Sequence, residues 1–259
     1  MKTTTKITSV IALGIMAVAF VPARTGLEIA IAAEKSDNGW GNSTNKLTMT
    51  LTNRNGQKTT RQMHGYSMEV DGDGDKSITV FDTPVDVKGT ASMTFTHKVG
   101  DDDQWLYLPA ISRVKRISSS NKSGPFMGSE FAFEDLSSSE VEKFTYKYIL
   151  DEQLNGVLCH KIERFPLSKS SGYKRNIVWF NKENYRVEKI EFYDRKDALL
   201  KTLTYSEYRQ FLSKYWRAGV MKMVNHQNGK ETLLVFSEIK FNVGLTDDDF
   251  TQNALKRAR

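Results

Sequence analysis

The sequence has a single cysteine and lacks the motifs that mark most enzymes. Cys159 is alone among 259 residues, which excludes an intrachain disulfide framework and every metal or redox motif built from paired cysteines. No Gly-x-Ser-x-Gly elbow and no phosphate-binding glycine loop is present. Cys159 lies in an alternating apolar pattern, which is typical of a packed cysteine. We therefore expect a protein without enzyme activity and without a cofactor.

Histidines are few and scattered along the chain. His64, His97, His160 and His226 show none of the spacings, such as His-Glu-x-x-His, that hold a metal ion. We expect each of them to have a structural or surface role.

An acidic repeat resembles a calcium loop only at its start. Asp71, Asp73 and Asp75 match the first three ligands of such a loop, but Lys76 occupies the position of the turn glycine and Asp82 that of the bidentate glutamate. Aspartate and glycine are common in hairpin turns, so we interpret the repeat as an acidic turn.

The sequence has only a small excess of positive charge, and this charge is dispersed along the chain. The 37 Lys and Arg and 31 Asp and Glu give a net charge of +6, which becomes +4 if the segment carrying Lys2 and Lys6 is removed. A weak and dispersed positive charge does not indicate nucleic-acid binding and is compatible with transient contact with anionic lipid.

The N-terminus has the pattern of a secretory signal peptide. A charged start is followed by an apolar run over residues 7–21 and a small-residue exit at Ala23. The run is about 15 residues long, whereas a membrane-spanning helix needs roughly 20. We predict a signal peptide over residues 1–23 and one exported domain over residues 24–259. Cleavage after Ala33, or an uncleaved membrane anchor, is the alternative.

Alternation of apolar and polar residues dominates the rest of the chain and predicts about eleven half-buried strands. Three such apolar faces are Leu47, Met49 and Leu51; Met93, Phe95 and Val99; and Leu233, Val235, Ile239 and Phe241. Turn sequences separate the strands at Asn55-Gly56, Asn155-Gly156, residues 181–184, residues 194–197 and Asn228-Gly229. Short turns of this kind favour antiparallel hairpins.

Helices are predicted only near the two ends of the mature chain. Leu27, Ala30 and Ile31 have helical spacing. Near the C-terminus, Thr246 is a candidate N-cap with Asp249 three residues later, a pairing typical of a capping box.

The alternation stops over residues 111–143, where Ser, Gly and Pro accumulate around large apolar side chains. Apolar groups in an irregular segment must pack on the sheet or line a site. The sequence therefore predicts a mainly β fold in which one curled antiparallel sheet, an unclosed half-barrel, is covered on its concave face by helices and by this segment as a flap.

The same region carries the most specific motif of the sequence. Trp105-x-Tyr107-x-Pro109 is followed by Arg113-x-x-Arg116 and then by Phe-Met-Gly-Ser-Glu-Phe-x-x-Glu-Asp over residues 126–135. This pattern resembles the outer-membrane lipoprotein-sorting protein family of bacteria, relatives of the periplasmic lipoprotein carrier LolA. The resemblance extends to residues 26–30, 87–90 and 248–251.

The resemblance implies a periplasmic protein with a LolA-like half-barrel that binds a lipid or lipoprotein acyl chain and delivers it toward the outer membrane. It also implies an inner-membrane transporter of the RND type as a possible partner. Relatives with this fold include envelope sensors and one pigment-biosynthesis enzyme, so a non-enzymatic sensor or transporter-docking module with a vestigial cavity is the alternative.

Candidate site residues follow from the position of the motif. We expect the lipid-binding side chains to be Trp105, Tyr107, Leu108, Phe126, Met127, Phe131 and Phe133. We expect contact with a headgroup or a partner from Arg113, Lys115 and Arg116. No metal ligand and no catalytic residue is predicted.

Overall fold

The computed structural model describes residues 24–137 and 140–258. The predicted signal peptide lies outside the described residues. The helices are α1 (Gly26–Asp37) and α2 (Gln252–Arg257). The strands are β1 (Asn42–Thr52), β2 (Lys58–Met68), β3 (Lys76–Thr83), β4 (Ala91–Phe95), β5 (Asp103–Leu108), β6 (Arg113–Ile117), β7 (Phe144–Leu154), β8 (Val157–Pro166), β9 (Tyr173–Asn181), β10 (Val187–Asp194), β11 (Leu199–Ser206), β12 (Arg209–Phe211), β13 (Tyr215–Arg217), β14 (Val220–Asn225) and β15 (Glu231–Phe241).

Thirteen strands form one antiparallel sheet in the order β6-β5-β4-β3-β2-β1-β15-β14-β11-β10-β9-β8-β7. The strands β12 and β13 form a separate hairpin. Since β6 and β7 are edge strands that do not pair with each other, the sheet does not close into a barrel. The predicted fold class, a mainly β protein with a large unclosed antiparallel sheet, is confirmed. The sheet has thirteen strands rather than about eleven.

All five predicted turns connect strands that pair antiparallel. Asn55-Gly56 joins β1 to β2, and Asn155-Gly156 joins β7 to β8. Residues 181–184 and 194–197 flank β10, and Asn228-Gly229 joins β14 to β15. Asn155 and Gly156 both have positive φ, at 50° and 84°, as a type I′ turn requires.

The predicted inward face of β15 is wrong over its first half. Thr232 and Leu234 are buried, whereas Val235 is exposed. Glu238 has a φ of 49°, and the pairing with β1 shifts by one residue at this point. Such a bulge moves every following side chain to the other face. Phe241 is therefore on the inward face, where it packs edge-on against Trp40.

Two apolar clusters lie on opposite faces of the sheet. The main cluster lies on the face that we call inner, where Phe81 of β3 packs with Met63 of β2. The second cluster, on the outer face, contains Val80 of the same strand. The two neighbouring residues Val80 and Phe81 point to opposite faces because side chains alternate along a strand. Phe250 and Leu255 from the C-terminal helices cover the outer cluster.

The helix α1 lies on the inner face over β7 and β8. Thr25 and Glu28 form a capping box at its start. Its buried residues are Gly26, Ile29 and Ala30, whereas Leu27 and Ile31 are 46% and 47% exposed. The predicted helix is therefore present, but its apolar face is shifted from the predicted one. A Cβ at Gly26 would lie 2.8 Å from the backbone of Lys147, so only glycine permits this close approach of α1 to β7.

The C-terminal helix is divided into two short pieces. Thr246 and Asp249 form the predicted capping box, but this box starts a 3-10 helix over Asp247–Phe250. Thr251 then caps α2 separately.

The segment predicted to be irregular, residues 111–143, contains the edge strand β6, so its first part was predicted wrongly. We therefore use the name flap for residues 118–143, of which 138 and 139 lie outside the described residues. The described part contains short 3-10 helices at Ser119–Asn121, Phe126–Gly128, Phe133–Asp135 and Val141–Lys143. Among the described residues of the whole chain, no helix is both long enough and apolar enough to cross a membrane.

Candidate functional site

Aromatic side chains fasten the flap to one half of the sheet. Phe126 is 1% exposed and its ring lies 5.9 Å from that of Phe81 on β3 and 5.5 Å from that of Phe133. Phe131 is fully buried in the main cluster. Arg61 of β2 donates a hydrogen bond of 2.6 Å to the carbonyl of Met127. Residues near the middle of the flap are therefore part of the core.

Polar contacts fasten the same flap to the other half of the sheet. Lys201 of β11 lies 2.6 Å from Asp135, and their side chains are only 5% and 2% exposed. Asp135 also accepts a hydrogen bond of 2.7 Å from the Tyr173 hydroxyl. Since β3 and β11 are far apart in the strand order and both contact the flap, the sheet must curl around this segment.

Two glutamates extend this polar attachment. Glu130 accepts a hydrogen bond of 2.7 Å from the amide of Asn225 on β14. Glu134 accepts hydrogen bonds from the backbone of Gly172 and the hydroxyl of Ser171, both at 2.8 Å. Burial raises the pKa of Glu134, and these two hydrogen bonds partly oppose the increase.

The structure does not bring the predicted lipid-binding residues together. Trp105 and Tyr107 pack against the outer cluster, on the face opposite to Phe126 and Phe131. Gln104, the neighbour of Trp105 in sequence, points to the inner face and donates a hydrogen bond of 3.0 Å to the carbonyl of Phe133.

Leu108 is half-buried at the end of β5, where it pairs with Arg113. The three predicted basic residues lie on β6, at one edge of the sheet. Arg113, Lys115 and Arg116 are exposed, and Arg116 forms a salt bridge with Asp103.

A cavity of about 1300 Å³, which we call the larger cavity, lies on the inner face between α1, the sheet and the β12–β13 hairpin. Its apolar wall includes Ala30, Ala33, Phe180, Val187, Ile190, Met221 and Phe236. Its rim carries charges of both signs, among them Glu34, Asp37, Glu69, Lys98, Arg186, Lys214 and Arg217. An apolar wall with a charged rim suits a ligand that has an apolar body and a polar end.

The second cavity, of about 650 Å³, lies between the flap and strands β7–β11. Its apolar wall includes Phe144, Leu167, Ile190, Phe192 and Leu203. Lys98, Arg164, Ile190 and Tyr205 line both cavities, so the cavities adjoin at a junction formed by these four residues. None of the ten predicted site residues lines either cavity. Lipid binding by the seven predicted side chains therefore stays a prediction.

A continuous row of side chains crosses the inner face next to this junction. The strand register pairs Tyr146 with Arg164, Arg164 with Asn176, Asn176 with Phe192, Phe192 with Lys201, and Lys201 with Asn225. Asn176, Lys201 and Asn225 are buried. Burial lowers the pKa of Arg164, and it raises the pKa of Tyr146 to about 12. The sheet therefore holds a buried polar stripe, and its members Tyr146, Arg164, Asn176 and Phe192 line the cavities.

Three carboxylates near the larger cavity lie close enough to share a cation. Ligand atoms of Glu34, Glu140 and Glu142 lie within 4.8 Å of one another. However, the ammonium of Lys98 lies 3.5 Å from Glu34 and 4.0 Å from Glu142. Since Lys98 already supplies a positive charge at this position, the cluster is explained as an ion-pair network.

Sequence reasoning missed the polar stripe, although a pattern for it exists. Each of its polar members stands two residues from a buried apolar residue of the same strand: Arg164 from Ile162, Asn176 from Val178, Lys201 from Leu203 and Asn225 from Met223. When a charged or amide residue occupies a strand position whose side chain points to the buried apolar face, it indicates a buried polar contact. The alternation alone does not show that the four lie in one row across the sheet, because that depends on strand order.

Known proteins support the fold and the family. A family model described as uncharacterized protein matches residues 73–257. An outer membrane lipoprotein-sorting protein domain from Vibrio parahaemolyticus is 55% identical, with 90% of this chain and 98% of that chain covered and a TM-score of 0.88. A DUF1329 family protein from Desulfovibrio piger is 32% identical, with 89% and 97% covered and a TM-score of 0.83.

A LolA superfamily protein from Nitrosomonas europaea is 20% identical, with 90% of this chain and 100% of that chain covered and a TM-score of 0.71. At this identity the likeness shows a shared fold. No curated protein matches the chain.

Proposed function

Because the chain belongs to the DUF1329 family and has the fold of the LolA superfamily, we propose that it is a non-enzymatic periplasmic carrier of a lipid or a lipoprotein acyl chain. The relative from Vibrio parahaemolyticus, an outer membrane lipoprotein-sorting protein domain, supports this class of cargo. The signal peptide predicted over residues 1–23 supports export from the cytoplasm.

The observation that carries the proposal is the pair of adjoining cavities on the inner face. Their volumes, about 1300 and 650 Å³, are in or above the range of roughly 300–1,000 Å³ that ligand pockets have. Both have aliphatic and aromatic walls that would shelter hydrocarbon from water. A carrier of this kind needs a shielded space and no catalytic group.

The free energy of exposing a lipid tail explains why such a space is needed. Each buried methylene contributes about 0.8 kcal/mol, so a 16-carbon chain with about 14 methylenes represents roughly 11 kcal/mol against release into water. A free chain would therefore not cross an aqueous compartment at a useful concentration. Transfer of the chain from one apolar surface to another through the cavities avoids most of this barrier.

We expect the cargo to enter at the rim of the larger cavity, between α1 and the β12–β13 hairpin. The flap is held on both halves of the sheet, by Phe126 on one side and by the buried pair of Lys201 and Asp135 on the other. Opening the flap would separate that ion pair, which costs several kcal/mol. Entry of the cargo through the mouth of the larger cavity does not require this ion pair to separate.

Delivery toward the outer membrane with an RND-type exporter is the finer part of the proposal. The edge strand β6 supports it, because its unpaired backbone edge and its exposed Arg113 and Lys115 could meet an acidic partner. Reversal of both charges to glutamate should abolish capture of such a transporter while acyl binding persists. If the charge-reversed variant still captures the transporter, β6 is not the surface that contacts the partner.

The direct test of the carrier proposal is to extract the purified exported protein with organic solvent and identify acyl species by mass spectrometry. Delipidated protein should then bind the neutral apolar dye N-phenyl-1-naphthylamine and release it on addition of dodecanoate. Repeated failure to extract any lipid and to bind either molecule would contradict the proposal.

A further inference from the structure

We propose that the second cavity opens on a surface that docks on a lipid bilayer, with the side chains of Val99 and Leu167 inserted among the lipids. The proposal rests on the proposed carrier function and names a partner for it, a membrane that exchanges an acyl chain with the cavity. Val99 lies in the loop between β4 and β5 and is 86% exposed. Leu167 lies in the loop between β8 and β9 and is 59% exposed. Both line the second cavity.

The position of these two side chains distinguishes them from other exposed apolar groups. Single exposed aliphatic side chains are common on protein surfaces and need no explanation. Of the exposed large apolar side chains in the described part of the chain, however, only Val99 and Leu167 line either cavity. Val85 and Leu212, which are 89% and 52% exposed, line neither. We call the opening between Val99 and Leu167 the second mouth.

Apolar side chains continue from the buried part of the second cavity to this mouth. In the cavity wall, Leu203 and Phe192 are buried, Phe144 and Pro166 are half-buried neighbours on β7 and β8, and Leu167 is exposed. Because exposure of an alkyl chain to water is unfavourable, a carrier needs an apolar path of this kind between its interior and a membrane. The second mouth is the outer end of that path.

Lys143 of the flap holds the two loops next to each other. The backbone N–H of Leu167 donates a hydrogen bond of 2.9 Å to the carbonyl of Lys143. The ammonium of the same lysine forms a salt bridge with Asp102 in the loop of Val99. Val99 and Leu167 therefore stand on the same side of the molecule, on loops that are joined through one residue.

The ions around the second mouth leave only a small positive charge. Lys122 of the flap lies 3.6 Å from Asp101 and donates a hydrogen bond of 2.7 Å to the Ser168 hydroxyl, so it also joins the two loops. Lys169 is exposed, lines the cavity and forms no salt bridge with the residues that the structure describes. One such lysine contributes about fivefold to binding at an anionic membrane surface. The apolar side chains must therefore supply most of the affinity.

The small size of this apolar surface favours a membrane over a protein partner or a second copy of the chain. A stable protein interface buries about 1,200–2,000 Å² and uses roughly 20–30 residues a side, far more than two aliphatic side chains supply. Insertion into hydrocarbon favours binding by roughly tenfold or more for each valine or leucine side chain. The resulting contact is weak and reversible, as a carrier that must leave the membrane again requires.

The test is flotation of the delipidated mature protein with vesicles of phosphatidylethanolamine and phosphatidylglycerol. The wild-type protein should float with the vesicles. The double variant Val99→Ser, Leu167→Ser should bind at least about tenfold more weakly, because both inserted side chains are lost. The control Val85→Ser, Leu212→Ser removes two similarly exposed aliphatic side chains that line neither cavity, and it should float like the wild type.

A fluorescent label measures the insertion itself. Because Cys159 is fully buried, Val99→Cys gives the native protein one accessible thiol, which is labelled with nitrobenzoxadiazole. On addition of the vesicles the emission should increase and shift to shorter wavelength, since the label enters apolar surroundings. The same label in Val85→Cys should keep the emission that it has in water.

The outcomes separate the docking surface from the carrier function. The docking surface is overturned if the wild-type protein does not float, if the double variant floats equally well, if the control loses binding instead, or if the label at residue 99 keeps its emission. A wild-type dimer that the double variant loses would also overturn it, because a second copy would then cover the two side chains.

Binding of N-phenyl-1-naphthylamine and its release by dodecanoate test the carrier function independently of the vesicles. If the wild-type protein binds the dye and dodecanoate but does not float, only the docking surface is wrong. If it floats through Val99 and Leu167 but binds neither molecule, the carrier proposal is wrong and the docking surface stands.

Discussion

The side chains of Lys201 and Asp135 form an ion pair in which the Nζ and Oδ2 atoms lie 2.6 Å apart, with almost no exposure to solvent. This pair joins β11 to the flap across the inner face of the sheet. Asp135 completes its hydrogen bonding with the Tyr173 hydroxyl and the backbone of Ala132. This buried carboxylate is therefore one of the groups that fasten the flap to the sheet, together with Phe126, Glu130 and Glu134.

Removal of the ammonium by Lys201→Met should lower the free energy of unfolding by about 3–5 kcal/mol, because the carboxylate of Asp135 is left buried without its cation. Denaturant unfolding measures the change. The control is Lys174→Met, which removes a surface pair with Asp197 and should change the free energy by less than about 1 kcal/mol. Similar small effects of both substitutions would mean that the pair does not fasten the flap.

Filling the larger cavity should weaken acyl binding without unfolding the protein. Ala33 of α1 lines that cavity, whereas Ala32, its neighbour on the same helix, does not. Ala33→Leu should reduce the affinity for an acyl probe about tenfold, because the added carbons occupy ligand space. Ala32→Leu should have little effect. Equal affinities of the two variants would place the ligand elsewhere.

Cys159 should be unreactive in the folded protein. Its side chain is fully buried, and desolvation raises the pKa of the thiol to about 11, so almost no thiolate is present near neutral pH. A thiol reagent such as 5,5′-dithiobis(2-nitrobenzoic acid) should react with one equivalent only after unfolding in guanidinium chloride. Fast reaction of the native protein would contradict the assigned burial.

The loop after β4 should give the stability a pH dependence near neutrality. A hydrogen bond to Asp73 at 2.7 Å, with Asp103 as a second acceptor, raises the pKa of His97, and the same contact lowers the pKa of Asp73 to about 2. The raised His97 pKa stabilises the fold fully below the unfolded-state value of about 6.5, and this contribution is lost as the pH rises through the folded-state pKa.

The free energy of unfolding should therefore decrease between roughly pH 6 and pH 8, and His97→Gln should remove this part of the decrease. Nuclear magnetic resonance titration of the imidazole measures the pKa directly. Asp73→Asn should bring it down toward the ordinary histidine value. An unchanged pKa in that variant would show that Asp73 is not the cause.

Local chemistry was sufficient to predict the hairpins of this fold. Asn55-Gly56 and Asn155-Gly156 favour turns whose twist fits antiparallel strands, and both join adjacent strands of the sheet. Turn formation depends on a few neighbouring residues, so the sequence contains the necessary information. The same is true of the capping box at Thr246.

Long-range pairing and bulges could not be predicted in the same way. The bulge at Glu238 reverses the faces of β15, although nothing in the alternation marks it. Trp105 and Phe126 belong to one motif in sequence yet lie on opposite faces of the sheet. The neighbourhood of Arg164 and Asn176 depends on the order of strands. The motif therefore identified the family, but not the walls of its cavity.

Photolabelling tests the central claim, that the inner cavities hold hydrocarbon, most directly. A palmitate analogue with a diazirine near the end of its chain would be bound, irradiated and located by peptide mass spectrometry. The account predicts adducts on cavity-lining residues such as Ile190, Met221 and Phe236, with less labelling in Ala33→Leu. Adducts confined to exposed surface residues such as Val85, which is 89% exposed, or no adduct at all, would contradict it.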